Sequence, residues 1–169
     1  MSPRAASRLE SLGFEQVYDY VAGKADWGSF GLPLVGAEGS ETRVGAHVRT
    51  DVPTCRADDR LQDVCERLDE AGWDTCFVLD EGSVLLGRIG RRAIRGRADI
   101  TAEEAMTLGP STIRPSARLE AVVDRMRRQK LTNLPVTTSD GRLVGLLTLR
   151  DAMEALEAWA TRADASGRR

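Results

Sequence analysis

The sequence predicts an α+β fold made of two copies of one small unit, packed sheet to sheet as a pseudo-two-fold pair. Three observations carry this. First, sliding the chain by 58 residues brings two segments into register without a gap. Thr54, Arg56, Arg60, Leu61, Val64, Arg67, Val78, Leu85, Gly87 and Arg92 then fall on Thr112, Arg114, Arg118, Leu119, Val122, Arg125, Val136, Leu143, Gly145 and Arg150. Second, both copies show the same order of patterns: helix, strand, helix, strand, strand, helix. Third, a unit of about 55 residues cannot bury both faces of a sheet alone, so each copy needs the other.

The elements follow from local rules. A short extended stretch at Thr54 or Thr112 leads to a candidate N-cap, Asp58 or Ser116. The helix after it carries Leu61, Val64, Cys65 and Leu68 in the first copy, and Leu119, Val122, Val123 and Met126 in the second, at a spacing that buries one face. A β-rich run comes next, Cys76 to Leu79 or Leu134 to Thr137. A polar turn and a second strand, Val84 to Ile89 or Leu143 to Thr148, complete a hairpin. Pro135 cannot donate to a ladder, so its strand is expected at a sheet edge or beginning there. The closing helix is short in the first copy (Arg91 to Ile94, broken by Gly96) and longer in the second (Arg150 to Trp159). Thr101 and Glu104 have capping-box spacing and open a short helix through Met106. The copies thus span 43–98 and 99–158, with a small, polar linker at 36–42 and a polar, frayed tail at 159–169.

Composition narrows the function. Lys and Arg total 24 against 26 Asp and Glu, a balance that argues against a nucleic-acid scaffold. No apolar run approaches the roughly 20 residues of a membrane span, and the N-terminus lacks the order of a secretory signal, so the expected compartment is the cytoplasm. Cys55, Cys65 and Cys76 are about ten residues apart and His47 is the single histidine, which is poor arithmetic for a zinc site; buried free thiols are expected and no metal. An odd count in a reducing compartment also speaks against disulfides. His47 aligns with Ala105 and reads as a packed residue, and Trp73 and Trp159 read as packing or dimer contacts. No paired carboxylates, Ser-His-Asp set or Walker-type loop stands out, so the chain is not expected to be an enzyme.

The order of elements, together with Gly145-Leu146-Leu147-Thr148-Leu149-Arg150-Asp151, resembles the cystathionine-β-synthase (CBS) domain family. Glu104-Ala105-Met106-Thr107, Thr112-Ile113-Arg114-Pro115 and Leu134-Pro135-Val136 resemble the family's opening helix, first strand and second strand, so the resemblance covers about residues 43 to 158. Thr148 and Asp151 straddle a strand-to-helix junction one turn apart, above a helix N-terminus that attracts an anion. The resemblance implies a nucleotide site in the second copy. Asp151 would hold ribose and Thr148 would contact ribose or phosphate. The backbone at Thr112 and Ile113 would read the adenine edge, Leu134 and Pro135 would form an apolar wall, and Arg150 and Arg114 would meet phosphate. The competing reading is an ordinary helix cap by Thr148.

The first copy departs from this pattern. Gly90 and Ala93 stand where Thr148 and Asp151 stand, while Arg88, Arg91, Arg92, Arg95 and Arg97 cluster without an acidic residue among them. A solvated basic rim, help with a ligand's phosphates, or an acidic partner surface all remain open. Residues 1–35 belong to neither copy. Leu9 to Tyr20, with Gly23, Trp27 and Gly31-Leu32-Pro33, resembles the C-terminal tail of a rhodanese domain, which implies a remnant without its catalytic cysteine. Leu9, Leu12, Phe14, Val17 and Trp27 are expected to dock on the pair or on a second chain.

The function this implies is a regulatory module, forming a homodimer through the CBS pair, that requires no cofactor and binds an adenine-containing small molecule: AMP, ADP, ATP or S-adenosylmethionine. Two alternatives stand beside it, a dimerisation scaffold with empty pockets and a sulfurtransferase fragment.

Overall fold

The computed structural model describes residues 3–18, 27, 32, 42–96 and 99–166. Residues 36–41 of the predicted linker (36–42) and residues 167–169 lie outside the described residues, as does Arg97. The first repeat contains strand β1 (Thr54–Arg56), helix α2 (Leu61–Ala71), strands β2 (Thr75–Leu79) and β3 (Leu85–Gly90) and helix α3 (Arg91–Gly96). The second contains helix α4 (Ala102–Ala105), strand β4 (Thr107–Leu108), helix α5 (Leu119–Gln129), strands β5 (Asn133–Thr137) and β6 (Leu143–Thr148) and helix α6 (Leu149–Ser166). Helix α1 (Pro3–Ser11) precedes both, and a 3-10 turn at Val44–His47 stands where α4 stands in the second repeat.

Each helix buries the face that its spacing predicts. Leu61, Val64, Cys65 and Leu68 of α2 form one core with Cys55, Cys76, Val78 and Ile89; Leu119, Val122, Val123 and Met126 of α5 form another with Ile113, Leu134, Val136 and Leu147. Phe77, Pro135 and Leu146 belong to the opposite strand faces and are also buried. Both faces of each hairpin therefore carry buried residues, with a helix covering one of them.

The repeats are joined by exchange of their opening segments. Residues 42–49, at the start of the first repeat, lie on the second: the Val44, Gly45 and Arg49 N–H groups donate to Ala117, Pro115 and Leu146 at 3.0, 2.9 and 2.9 Å. Residues 100–107, at the start of the second repeat, lie on the first: the Ala102 and Glu103 N–H groups donate to Asp59 and Ala57 at 2.8 and 2.9 Å, and Thr107 pairs with Arg88. Each contact maps on its counterpart under the 58-residue shift. Val84 bridges Arg142, its own counterpart, which places the pseudo-two-fold axis between the two hairpin turns.

This exchange corrects the capping prediction. Helices α2 and α5 begin after Arg60 and Arg118, neither of which makes a side-chain cap bond, so Asp58 and Ser116 are turn residues. The first helical N–H groups, of Leu61 and Leu119, donate instead to the carbonyls of Ile100 and Thr42 in the exchanged segments, each at 2.9 Å. Pro135 is corrected too, since β6 flanks β5 on one side and Ile113 on the other. The ring fits because pairing with Ile113 starts at the Pro135 carbonyl, which accepts from the Ile113 N–H at 3.1 Å, so the ladder asks no donor of its nitrogen.

The capping box is present. The Glu104 N–H donates to Thr101 Oγ at 3.3 Å, and Glu104 Oε2 accepts from the Thr101 N–H at 2.9 Å. Thr101→Ala is expected to lower stability by about 1 kcal/mol, read as the shift in urea midpoint, because it loosens the start of an exchanged segment; an unchanged midpoint would remove that role. Two ends differ from expectation. Helix α6 continues to Ser166, so most of the predicted frayed tail is helical. At the N-terminus Leu12, Phe14 and Tyr18 are exposed, so within one chain they do not dock on the repeats as expected for Leu12 and Phe14. Trp73, by contrast, packs on the first core and is committed within the chain.

Candidate functional site

The site predicted in the second repeat lies where β6 passes into α6. Thr148 Oγ accepts the Asp151 N–H at 3.1 Å, so the capping reading is present, and the hydroxyl retains its hydrogen to donate. Asp151 Oδ1 lies 3.6 Å from Arg150 Nε, in a side chain that is 23% exposed. Its other oxygen, Oδ2, is buried with no hydrogen-bond partner among the described residues. A buried acceptor without a donor costs about 1–3 kcal/mol, so this carboxylate is poised for a hydroxyl or N–H brought by something else. The N-terminus of α6 adds the positive end of an 18-residue helix.

The other predicted residues divide. Leu134 pairs with Leu147 and Pro135 with Leu146, which puts both on β5 beside the strand that ends at Thr148. Ile113 is 6% exposed and its backbone is spent: its N–H donates to Pro135 and its carbonyl accepts from the Thr137 N–H at 2.9 Å. Thr112, one residue earlier, is half-buried and outside that ladder. The Arg114 guanidinium donates to the Thr137 carbonyl (3.2 Å), the Thr137 hydroxyl and the Thr138 carbonyl, which ties it to the hairpin-turn end of β5, opposite the end where Asn133 pairs with Thr148. Arg150 is exposed and reaches Glu154 at 3.9 Å. A cavity of about 540 Å³ beside α6 is lined by Thr132, Thr148, Leu149, Arg150, Met153, Glu154 and Glu157, so it takes in two of the eight predicted residues.

Arg49, which sequence reasoning passed over, and His47, which it read as a packed residue, arrive with the exchanged segment. Arg49 is fixed by reciprocal 2.9 Å backbone bonds with Leu146, and its guanidinium lies 5.1 Å from the Trp73 ring centroid while holding Asp51 at 3.0 and 3.3 Å. Asp51 first, and more weakly Asp151, push the Arg49 pKa above its ordinary value. His47 lies two residues back, half-buried. The available signal was the repeat itself, because His47 and Arg49 map on Ala105 and Thr107, which line the equivalent cleft of the first repeat.

That first-repeat cleft encloses about 490 Å³ and is lined by Arg88, Gly90, Arg91, Arg92, Ala93, Ala105 and Thr107. A Cβ built on Gly90 would meet nothing within 4 Å, so the room filled by the Thr148 side chain in the second repeat is open here. Arg91 is held by Asp74, whose pKa it lowers chiefly through that hydrogen bond. Cys55, Cys65 and Cys76 are free and buried, 6, 0 and 1% exposed. The Cys76 pKa is pushed well up by its hydrogen bond with Cys55 and by burial, which keeps it an unreactive thiol. Among the described residues no group of three or more candidate metal ligands occurs, and no helix is long and apolar enough to cross a membrane.

Known proteins match this arrangement. The CBS domain family matches residues 44–100 and 98–158. An inosine-5'-monophosphate dehydrogenase of Mycobacterium bovis is 33% identical over 132 residues, covering 75% of this chain and 24% of the dehydrogenase. The chain thus spans about a quarter of the length of these curated relatives. Among solved structures, CBSX2 in complex with AMP aligns with a TM-score of 0.61 at 22% identity, covering 69% of this chain and 96% of that one. The CBS domain pair of protein MJ0100, in complex with 5-methylthioadenosine and S-adenosyl-L-methionine, aligns with a TM-score of 0.59 at 21% identity, covering 70% and 98%. The family match begins at residue 44, so the rhodanese-like reading of residues 1–35 rests on sequence resemblance alone. Two matched segments and two halves with the same order of strands and helices agree: the chain belongs to the CBS domain family and carries its domains as a tandem pair.

Proposed function

We propose that this chain is a non-catalytic regulatory module that binds an adenine nucleotide or a related adenine ligand at the foot of α6. The observation that carries the reading is the Asp151 carboxylate, with one oxygen buried and lacking a donor beside a hydroxyl and a helix N-terminus. Vicinal ribose hydroxyls are donors of the required kind, and the helix terminus suits a phosphate. In this reading Asp151 accepts from ribose, Thr148 donates to ribose or phosphate, and Leu134 and Pro135 wall the base. The free backbone at Thr112, rather than the committed backbone at Ile113, reads the adenine edge. Arg150 and Arg49 supply charge for phosphate, while Arg114 holds the hairpin turn. CBSX2 with AMP and MJ0100 with S-adenosyl-L-methionine share this fold, which supports the ligand class. The module works as a cytoplasmic homodimer, for which Trp159 on α6, 45% exposed, offers contact surface.

The capping bond of Thr148 favours a second reading, a dimerisation scaffold whose pocket stays empty. Thermal unfolding with AMP, ADP, ATP and S-adenosylmethionine separates the two. A ligand at 100 times its dissociation constant is expected to add about 2.7 kcal/mol of stability, and Asp151→Ala is expected to lose that gain while keeping its own unliganded transition. If none of the four raises the midpoint, or if Asp151→Ala responds like wild type, the scaffold reading stands.

A further inference from the structure

The first-repeat cleft is the counterpart of the proposed nucleotide site, yet its chemistry is inverted. Under the 58-residue shift the hydroxyl of Thr148 becomes the hydrogen of Gly90, the carboxylate of Asp151 becomes the methyl of Ala93, and the apolar Leu146 becomes Arg88. Both side-chain groups assigned to ribose in the second repeat are gone from these positions. What lines the cleft instead is three guanidinium groups, one threonine hydroxyl and small residues that leave the middle open. Arg91 is partly neutralised by Asp74. Arg88 and Arg92 make no ion pair among the described residues, and no carboxylate lines the cleft. Grouping like charges around one cavity costs electrostatic self-repulsion, in a chain whose formal net charge is −2. An occupant that offsets the repulsion must be anionic, compact and able to accept from several planar donors at once, the pattern of a chain of phosphates.

We propose that this cleft binds a small phosphate polyanion, such as pyrophosphate or triphosphate, and rejects nucleosides. Arg88 and Arg92 are the principal contacts, with Arg91 and Thr107 at the rim and Gly90 supplying the space. This assignment stands apart from the nucleotide site of the second repeat and holds whether or not that site is filled. Two sources present the same chemistry, the free inorganic anion and the phosphate tail of a nucleotide, and the variants below tell them apart.

Calorimetric titration of the full chain with inorganic triphosphate at low salt tests it. Binding is expected in wild type and should weaken roughly tenfold or more in Arg88→Ala/Arg92→Ala, which removes two charge-assisted contacts. Arg127→Ala/Arg128→Ala, which removes the same charge from the exposed end of α5, should bind as wild type does. Gly90→Asp sets a carboxylate in open space and is expected to abolish binding with the unfolding midpoint retained. Adenosine should give no heat that depends on Arg88 and Arg92, and Asp151→Ala should bind triphosphate normally. The proposal is overturned if the Arg88/Arg92 variant binds as wild type does, if wild type gives no binding heat, or if Asp151→Ala rather than the arginine variant loses triphosphate. That last result would place the anion where a nucleotide's tail lies in the second repeat.

Discussion

Gly145→Ala is expected to lower the thermal unfolding midpoint by on the order of 10 °C, a loss of about 3 kcal/mol or more. A Cβ on Gly145 would lie 2.1 Å from the Arg49 carbonyl oxygen, 2.6 Å from Val48 Cγ1 and 3.0 Å from the Arg49 carbonyl carbon. Two of those three atoms are backbone. Backbone cannot swing aside as a side chain does, so the exchanged segment must lift. Lifting it breaks both 2.9 Å bonds between Arg49 and Leu146 and draws fully buried Val44 out of the second core. The residue's φ of +156° adds a conformation that side chains seldom adopt.

The repeat supplies its own control. Gly87, the counterpart of Gly145, has as nearest neighbours Met106 Sδ, Cγ and Cβ, at 2.4, 2.8 and 3.0 Å. A methionine side chain can change rotamer, so Gly87→Ala is expected to cost about 1 kcal/mol. Comparable losses at the two glycines would show that residues 42–49 are not seated on the second repeat. Gly145→Ala should also blunt any nucleotide response, since the lifted segment carries Arg49 away from Asp151.

Phe77→Ala is expected to cost about 3–5 kcal/mol, the range for deleting a buried ring from a close-packed interior. Phe77 is 1% exposed and lies on the strand face turned away from α2. Its loss therefore empties space on the far side of the sheet rather than under the helix. Cys76→Ala, one residue away and facing α2, removes a single sulfur and is expected to cost about 1 kcal/mol. Urea unfolding should show one transition for both variants, because each repeat holds a segment of the other and neither unfolds alone. A loss below about 1 kcal/mol at Phe77 would mean that this face is not packed as a core.

Much of the fold was legible because it is local. The buried faces of α2 and α5, the hairpins and the capping box at Thr101 and Glu104 each depend on residues within a few positions of one another. The caps were misjudged for the opposite reason. Asp58 and Ser116 are good capping residues, but the carbonyls of Ile100 and Thr42 reach the helix ends from across the pair and take the first N–H groups. A distant backbone acceptor leaves no mark in local composition. Leu12 and Phe14 are exposed within one chain, which leaves a second chain as their expected docking surface, since an apolar residue states a preference for burial without naming a surface to bury it.

The candidate site divides along the same line. Thr148 and Asp151 could be read from the chain because three residues across a strand-to-helix junction bring them together whatever surrounds them. That Arg114 is tied to Thr137 and Thr138, that Ile113 has no backbone group to spare, and that Arg49 stands near Asp151 are consequences of pairing between strands far apart in sequence. The repeat, its element order and its pair of signature positions were determined by the sequence alone, through periodicity and short-range geometry. Which segment covers which half, which polar groups remain unspent and how an arginine-lined cleft is enclosed were decided only by tertiary structure, because long-range hydrogen bonds and packing choose among partners that local pattern leaves equivalent.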